Sequence, residues 1–150
     1  MDSIDKNILI QLQQNAKQNT KEIASKVGLS VTPTYERIKK LEQNGVIKSY
    51  VAILDRKKIG KEVVVYCQVS ILKHQKSLID DFGKTIQDFP EITECHYVSG
   101  NYDFLVKIVV NTIAEFHQFL NEKLSSISGV STVHSSFLYY SVKDTPAIPI

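Results

Sequence analysis

Cysteine is scarce: Cys67 and Cys95 are the only two in 150 residues. That is too few for the disulfide framework of a small secreted domain, and they do not stand at C-x-x-C spacing. No apolar run approaches the roughly 18 residues needed to span a bilayer. The opening Met1-Asp2-Ser3-Ile4-Asp5-Lys6 lacks the basic-then-apolar order of a signal peptide, so the expected location is the cytoplasm. The histidines His74, His96, His117 and His134 show neither H-x-x-x-H nor H-E-x-x-H spacing, and no metal site is expected. A phosphate-cradling glycine loop and a nucleophile beside a base are missing too, which argues against an enzyme and for no cofactor.

What is present suits one ordinary domain or two small ones: 150 residues with 43% hydrophobic content can build real cores. The net charge of +2 hides a split. Residues 1–60 hold 11 Lys/Arg against 6 Asp/Glu, whereas residues 61–150 hold 7 against 10. A basic head on an acidic body fits a nucleic-acid-binding module joined to something that does not bind nucleic acid.

The basic half contains two helical patterns around one glycine. Thr20 is a good N-cap, Glu22 sits in the first turn, and Ile23, Ala24 and Val27 share one face before Gly28. Ser30 then caps a run whose apolar positions Tyr35, Ile38 and Leu41 recur every three residues, and Asn44-Gly45 closes it. Pro33 fits only in a first turn, so this helix is expected to start near Val31. Opposite the Tyr35/Ile38/Leu41 stripe the helical wheel places Thr32, Pro33, Glu36 and Lys40, with Arg37 and Lys39 at the margins. Such a pair is either a plain packing unit with a solvated basic face or a helix-turn-helix that presents its second helix to a DNA major groove. On the second reading Ser30, Thr32 and Thr34 position the helix, Arg37 is the first choice for reading a base, and Lys39 and Lys40 contact phosphates. A preceding segment, Ile4, Ile8, Leu9, Leu12 and Ala16, with Ser3 as its expected cap, makes a third helix. Val46 to Leu54, rich in β-branched and aromatic residues, is expected to be extended, as a wing or a linking strand.

From Val63 onward the pattern is strand, helix, strand, strand, helix, strand. Val63, Val65, Cys67, Val69 and Ile71 alternate, Leu78 to Phe89 carries helical spacing, and Ile92 to Val98 and Asp103 to Val110 are strands. Phe116, Phe119, Leu120 and Leu124 then mark a helix before a last strand from Val130 to about Val142. Shifted by 38 positions, Phe82 aligns with Leu120, Ile86 with Leu124, Ile92 with Val130, Cys95 with Val133 and His96 with His134. This βαββαβ order implies an α+β, ferredoxin-like domain with both helices on one sheet face. Apolar residues on both sides of Val63-Val64-Val65-Tyr66 and Phe104-Leu105-Val106 suggest that self-association covers the other face. Between the repeats, Ser99-Gly100-Asn101-Tyr102-Asp103 is either an ordinary hairpin turn or a polar pocket. In the pocket reading, Gly100 lets a ligand approach the backbone and Asp103 pairs with its ammonium.

Taken together, these motifs resemble the leucine-responsive regulatory protein (Lrp/AsnC) family of bacterial and archaeal transcription regulators. The carrying residues are Asp5-Lys6-Asn7-Ile8-Leu9, Val27-Gly28-Leu29-Ser30, Glu36-Arg37-Ile38-Lys39-Lys40-Leu41-Glu42, Asn44-Gly45-Val46-Ile47, Glu94-Cys95-His96 and Val98-Ser99-Gly100-Asn101-Tyr102-Asp103. The resemblance implies a winged helix-turn-helix DNA-binding domain over residues 1–46 and a linking strand and hinge over 47–62. It also implies a ferredoxin-like effector-binding and oligomerisation domain over 63–150, a homodimer assembling to an octamer, and an amino-acid effector. Its effector pocket, between subunits, involves the hairpin Ser99 to Asp103 and a hydroxyl on the last strand, here Ser135. Where a leucine-responsive subgroup carries Asp-Phe between the glycine and the aspartate, this chain has Asn101-Tyr102. The alternative is an architectural, chromatin-like protein that wraps DNA without a specific effector.

Overall fold

The computed structural model describes residues 1–72 and 75–150, so His74 lies outside the described residues. Two units are present: one of residues 1–53 with 143–150, the other of residues 54–142.

In the first unit, α1 (Ser3–Gln14), α2 (Thr20–Val27) and α3 (Val31–Gln43) pack around buried Ile8, Leu9, Ile23 and Leu41, with Ile4, Leu12, Val27, Ile38 and Ile47 against them. Two capping boxes start the first two helices, one residue earlier than the expected caps Ser3 and Thr20. Asp2 and Asp5 exchange side-chain-to-backbone bonds of 2.8 and 3.1 Å, and Asn19 and Glu22 do so at 2.9 and 3.0 Å. Each box satisfies two of the amide donors that a helix start leaves open. Gly28, at φ 73°, terminates α2 in a conformation that costs an L side chain strain, and the Leu29 N–H returns to the Ala24 carbonyl at 3.0 Å. Residues 143–150 cluster by contact with this unit, where Gln13 exchanges side-chain bonds with the backbone of Ile148 at 3.0 and 2.6 Å.

Residues 46–55 are assigned no strand in the single chain. β-branched residues favour a strand only where a neighbouring strand takes their hydrogen bonds, and no described strand pairs with these. Instead, Tyr50 donates its phenol to Glu42 Oε1 at 2.8 Å, tying the chain back to the end of α3. Burial, then the Glu42 carboxylate, pushes the Tyr50 phenol up to about 12.

The second unit is ferredoxin-like. β1 (Val63–Ile71), α4 (Lys76–Thr85), β2 (Ile92–Tyr97), β3 (Phe104–Val110), α5 (Ile113–Glu122) and β4 (Val130–Phe137) make one antiparallel sheet in the order β2-β3-β1-β4. The alternating residues Val65, Cys67, Val69 and Ile71 meet Phe104, Val106, Ile108 and Val110, and both helices, with the turn that follows α4, cover that face with Phe82, Ile86, Phe116 and Phe119. Phe82 and Phe104 lie 4.5 Å apart between ring centres, and Phe116 meets Phe137 edge-on at 5.2 Å. Each fully buried ring of this kind contributes about 1.5–3 kcal/mol of transfer free energy. The opposite face alternates with it and is mixed: Tyr66, Leu105 and Val109 stand among Gln68, Ser70 and Lys107, all half-buried.

Candidate functional site

The orientation of α3 is fixed by which of its residues are buried. Thr34 is 0% exposed and its hydroxyl donates to the Ser30 carbonyl at 2.9 Å, whereas Tyr35 is 54% exposed. The inward stripe is therefore Thr34, Ile38 and Leu41, not Tyr35, Ile38 and Leu41. At 100° per residue this turns the wheel by about 30°. Thr34 cannot face a partner, which corrects its assignment as a contact. The outward side keeps Thr32, Glu36 and Lys39, all exposed, with Lys40 on one flank and Tyr35 on the other. Ser30 is exposed but makes no side-chain cap bond, and Pro33 is half-buried in the first turn.

The same rotation carries Arg37 toward α1. Its Nη1 bonds Asp2 Oδ2 and Asp5 Oδ1, both at 2.7 Å. Each aspartate thus gives one oxygen to the capping box and the other to the arginine. The Asp5 backbone N–H, then the Arg37 guanidinium, hold the Asp2 carboxyl below its ordinary value, and the Asp5 and Asp2 carboxylates raise Arg37 further. In the single chain the guanidinium is turned to these two aspartates with a third of the side chain exposed, so Arg37 clamps the second helix of the pair to the first.

The hairpin between β2 and β3 lies at one end of the sheet. Ser99, Gly100 and Asn101 are exposed and Tyr102 is half-buried. Gly100 adopts φ 136°, a region that favours glycine, and a Cβ there would meet nothing within 4 Å. Backbone conformation, not crowding, requires this glycine. Asp103 is 4% exposed, its N–H donates to the Val69 carbonyl at 2.9 Å, and its Oδ2 accepts the Ile71 N–H at 2.7 Å. The β1–β4 register shifts between Ser70 and Ile71, and the Asp103 carboxylate takes the amide at that irregularity. Asp103 therefore holds β1 to β3, a role that the turn motif did not reveal. Ser135 faces Cys67, with Oγ 3.4 Å from its Sγ, and β1 stands between Ser135 and the hairpin's own strands. One chain does not gather Ser135 and Ser99–Asp103 into a single cavity.

Neither cysteine is an activated thiolate. Burial pushes Cys67 up, and pushes Cys95 to about 11. Among the described residues no group of three His, Cys, Asp or Glu side chains converges as a metal site. No helix among them is long and apolar enough to cross a membrane.

A helix-turn-helix followed by a ferredoxin-like unit matches two family models in succession. A winged helix-turn-helix DNA-binding model covers residues 1–48, and the Lrp/AsnC ligand binding domain covers residues 64–148. The chain belongs to the Lrp/AsnC family. The leucine-responsive regulatory protein of Haemophilus influenzae is 36% identical over 145 residues, covering 97% of this chain and 87% of the relative. That of Escherichia coli is 31% identical over 150 residues, covering 100% and 92%. Among solved structures, the L-Met complex of a transcriptional regulator from Neisseria meningitidis superposes with TM-score 0.95 at 30% identity, covering 99% of this chain and 96% of that one. An AsnC family transcriptional regulator from Agrobacterium tumefaciens gives 0.93 at 34% identity, with 99% and 97% covered. Like these relatives, this Lrp/AsnC chain is a DNA-binding transcription regulator and not an enzyme.

Proposed function

We propose that this Lrp/AsnC regulator acts in the cytoplasm as a homodimer, assembling further to an octamer, whose DNA binding responds to an amino acid. Two copies of α3 enter successive major grooves about one helical turn apart. Thr32, Glu36 and Lys39 meet the DNA centrally, while Ser30, Pro33, Tyr35 and Lys40 flank them. The observation that carries this reading is the outward stripe on a helix whose other side is fixed by Thr34, Ile38, Leu41 and the Arg37 clamp. The effector lodges between subunits at Ser99, Gly100, Asn101, Tyr102 and Asp103, with Ser135 supplied across the assembly. It acts by preferring one assembly over another, and such couplings amount to about 1–3 kcal/mol. An L-Met complex in the Neisseria meningitidis relative supports an amino acid of this class.

The test is fluorescence-anisotropy binding to the DNA upstream of this protein's own gene and to a random duplex, at fixed salt, with each common amino acid added in turn. Selective binding that one amino acid shifts is the expected result. Selective binding that none shifts removes the effector step. Equal binding to both duplexes favours an architectural DNA-wrapping protein instead.

A further inference from the structure

The far end of the ferredoxin-like sheet from the Ser99–Asp103 hairpin holds a cleft of about 620 Å³, walled by the turn Arg56–Ile59, the start of β2, one side of α5 and the end of β3. Its apolar floor includes Val110 and Phe119, both buried. Three cations, Arg56, Lys61 and Lys123, and three anions, Glu91, Glu115 and Glu122, line it, so the formal charge of the lining balances. A cleft of this volume, with an apolar base under a charged rim, has room for a small polar molecule.

Four of the six charges have partners within the chain. Arg56 Nη1 donates to the Glu62 carbonyl at 2.8 Å, and Glu115 holds the Asn111 backbone and amide with both oxygens, at 2.8 and 3.0 Å. Glu122 accepts from Gln118 at 3.0 Å, and Lys123 Nζ reaches Glu91 Oε1 at 2.5 Å while standing over the rings of Phe89 and Phe119. Two groups of opposite sign are left. Glu91 Oε2 is buried without a hydrogen-bond partner, an arrangement that normally costs about 1–3 kcal/mol. Lys61, half-buried in the same lining, is in no ion pair among the described residues, although its charge acts on both Glu91 and Glu115.

We infer that this cleft is a second ligand site, which takes a compact zwitterion of the α-amino acid class. The ligand's ammonium supplies the donor that Glu91 Oε2 lacks, its carboxylate meets the Lys61 ammonium, and its side chain lies on Phe119 and Val110. A net-neutral lining selects a net-neutral ligand, because a lone cation or anion would leave one unmet group facing its own charge. To reach the buried oxygen the ligand's ammonium takes the place of the Lys123 ammonium, which is 41% exposed and gives up its contact with Glu91 Oε1 to solvent. This site stands on residues separate from the hairpin and does not depend on an effector binding there.

Equilibrium dialysis of the full chain against each common L-amino acid, radiolabelled, up to about 1 mM, tests it. The variants are Glu91→Gln, Lys61→Ala and Gln118→Trp, the last filling the cleft without touching either charge; melting curves confirm that each is folded. The expected result is an amino acid whose binding weakens tenfold or more in all three variants and persists in a Gly100→Ala hairpin variant. Binding lost in Gly100→Ala but unchanged in the cleft variants places the only site at the hairpin and overturns the inference. No binding by the wild type overturns it as well. So does a Gln118→Trp protein whose sedimentation mass changes while ligand binding does not, since the cleft would then face a second copy.

Discussion

Thr32 and Thr34 lie two residues apart on the recognition helix, about 200° around its axis, and valine in place of each separates folding from DNA binding. Thr34 is fully buried and its hydroxyl gives one 2.9 Å bond to the Ser30 carbonyl. Valine keeps the shape and removes that bond. The carbonyl still accepts the Thr34 N–H at 3.3 Å, so no acceptor is orphaned. The loss sits at the lower end of a neutral hydrogen bond, about 0.5–1 kcal/mol. For a small unit melting by itself that is a fall of about 2–8 °C in Tm. DNA affinity should not change. Thr32 is exposed, so Thr32→Val should leave stability within about 0.5 kcal/mol. If its hydroxyl contacts phosphate or a base edge, DNA binding should weaken by about 0.5–1.5 kcal/mol, or roughly 2- to 12-fold. Differential scanning calorimetry and anisotropy titrations on one operator at fixed salt measure both quantities. A Thr34→Val protein with weakened DNA binding and unchanged Tm, beside a Thr32→Val protein with normal DNA binding, would refute the orientation assigned to α3.

Asp103→Ala strips the Ile71 N–H of its acceptor in a nearly closed site and should cost about 1–3 kcal/mol, visible as a lower Tm; Asp103→Asn retains an acceptor, so only the asparagine variant can test the effector response without a stability defect. Phe82→Ala, which removes a fully buried ring lying 4.5 Å from Phe104, should destabilise the ferredoxin-like unit by about 3–5 kcal/mol in urea titrations. The hydrogen bond from Lys107 to Glu94, 2.7 Å long, holds the Glu94 carboxyl below its ordinary 4.5, and the Asp5 N–H and Arg37 hold Asp2 below 3.8. Folded values below unfolded ones mean a contribution fully present above pH about 4.5 and lost as pH falls through the folded values. Melting temperature followed down from pH 5 should therefore decline less steeply in Glu94→Gln than in the wild type, and parallel curves would exclude this linkage. Arg37→Ala should lower the Tm of the first unit, because the arginine ties α3 to α1; an unchanged Tm beside a loss of affinity confined to the operator would restore it as a base reader.

The second unit was largely legible because each strand repeats its burial with period two. Val65, Cys67, Val69 and Ile71 can reach only one face, and the 38-residue repeat places Phe82 and Leu120 on equivalent helices packed against that face. The linking segment is less legible for the complementary reason. Val46, Tyr50, Val51 and Ile53 have strand-forming side chains, but a strand needs a neighbour, and composition does not say whether one exists. The Ser99–Asp103 turn was legible from its glycine and asparagine. The fate of Asp103 was not, because the amide it accepts belongs to Ile71, at a register shift that no local pattern encodes.

The recognition helix shows the same division between local and long-range information. Ranking Tyr35 above Thr34 as a core residue follows apolarity, yet a threonine hydroxyl that donates to the carbonyl four residues back carries its own partner into the interior. A phenol at that position would need a partner from elsewhere. Burial therefore selects the smaller, self-satisfied residue, and the larger one turns outward. Arg37 follows because Asp2 and Asp5, already brought together by the capping box on α1, offer two anionic oxygens at one point. The residue most suited by type to read a base is thus engaged in holding α3 to α1, and on the proposed mode of binding Thr32, Glu36 and Lys39, with Tyr35 at their flank, are the side chains left facing outward.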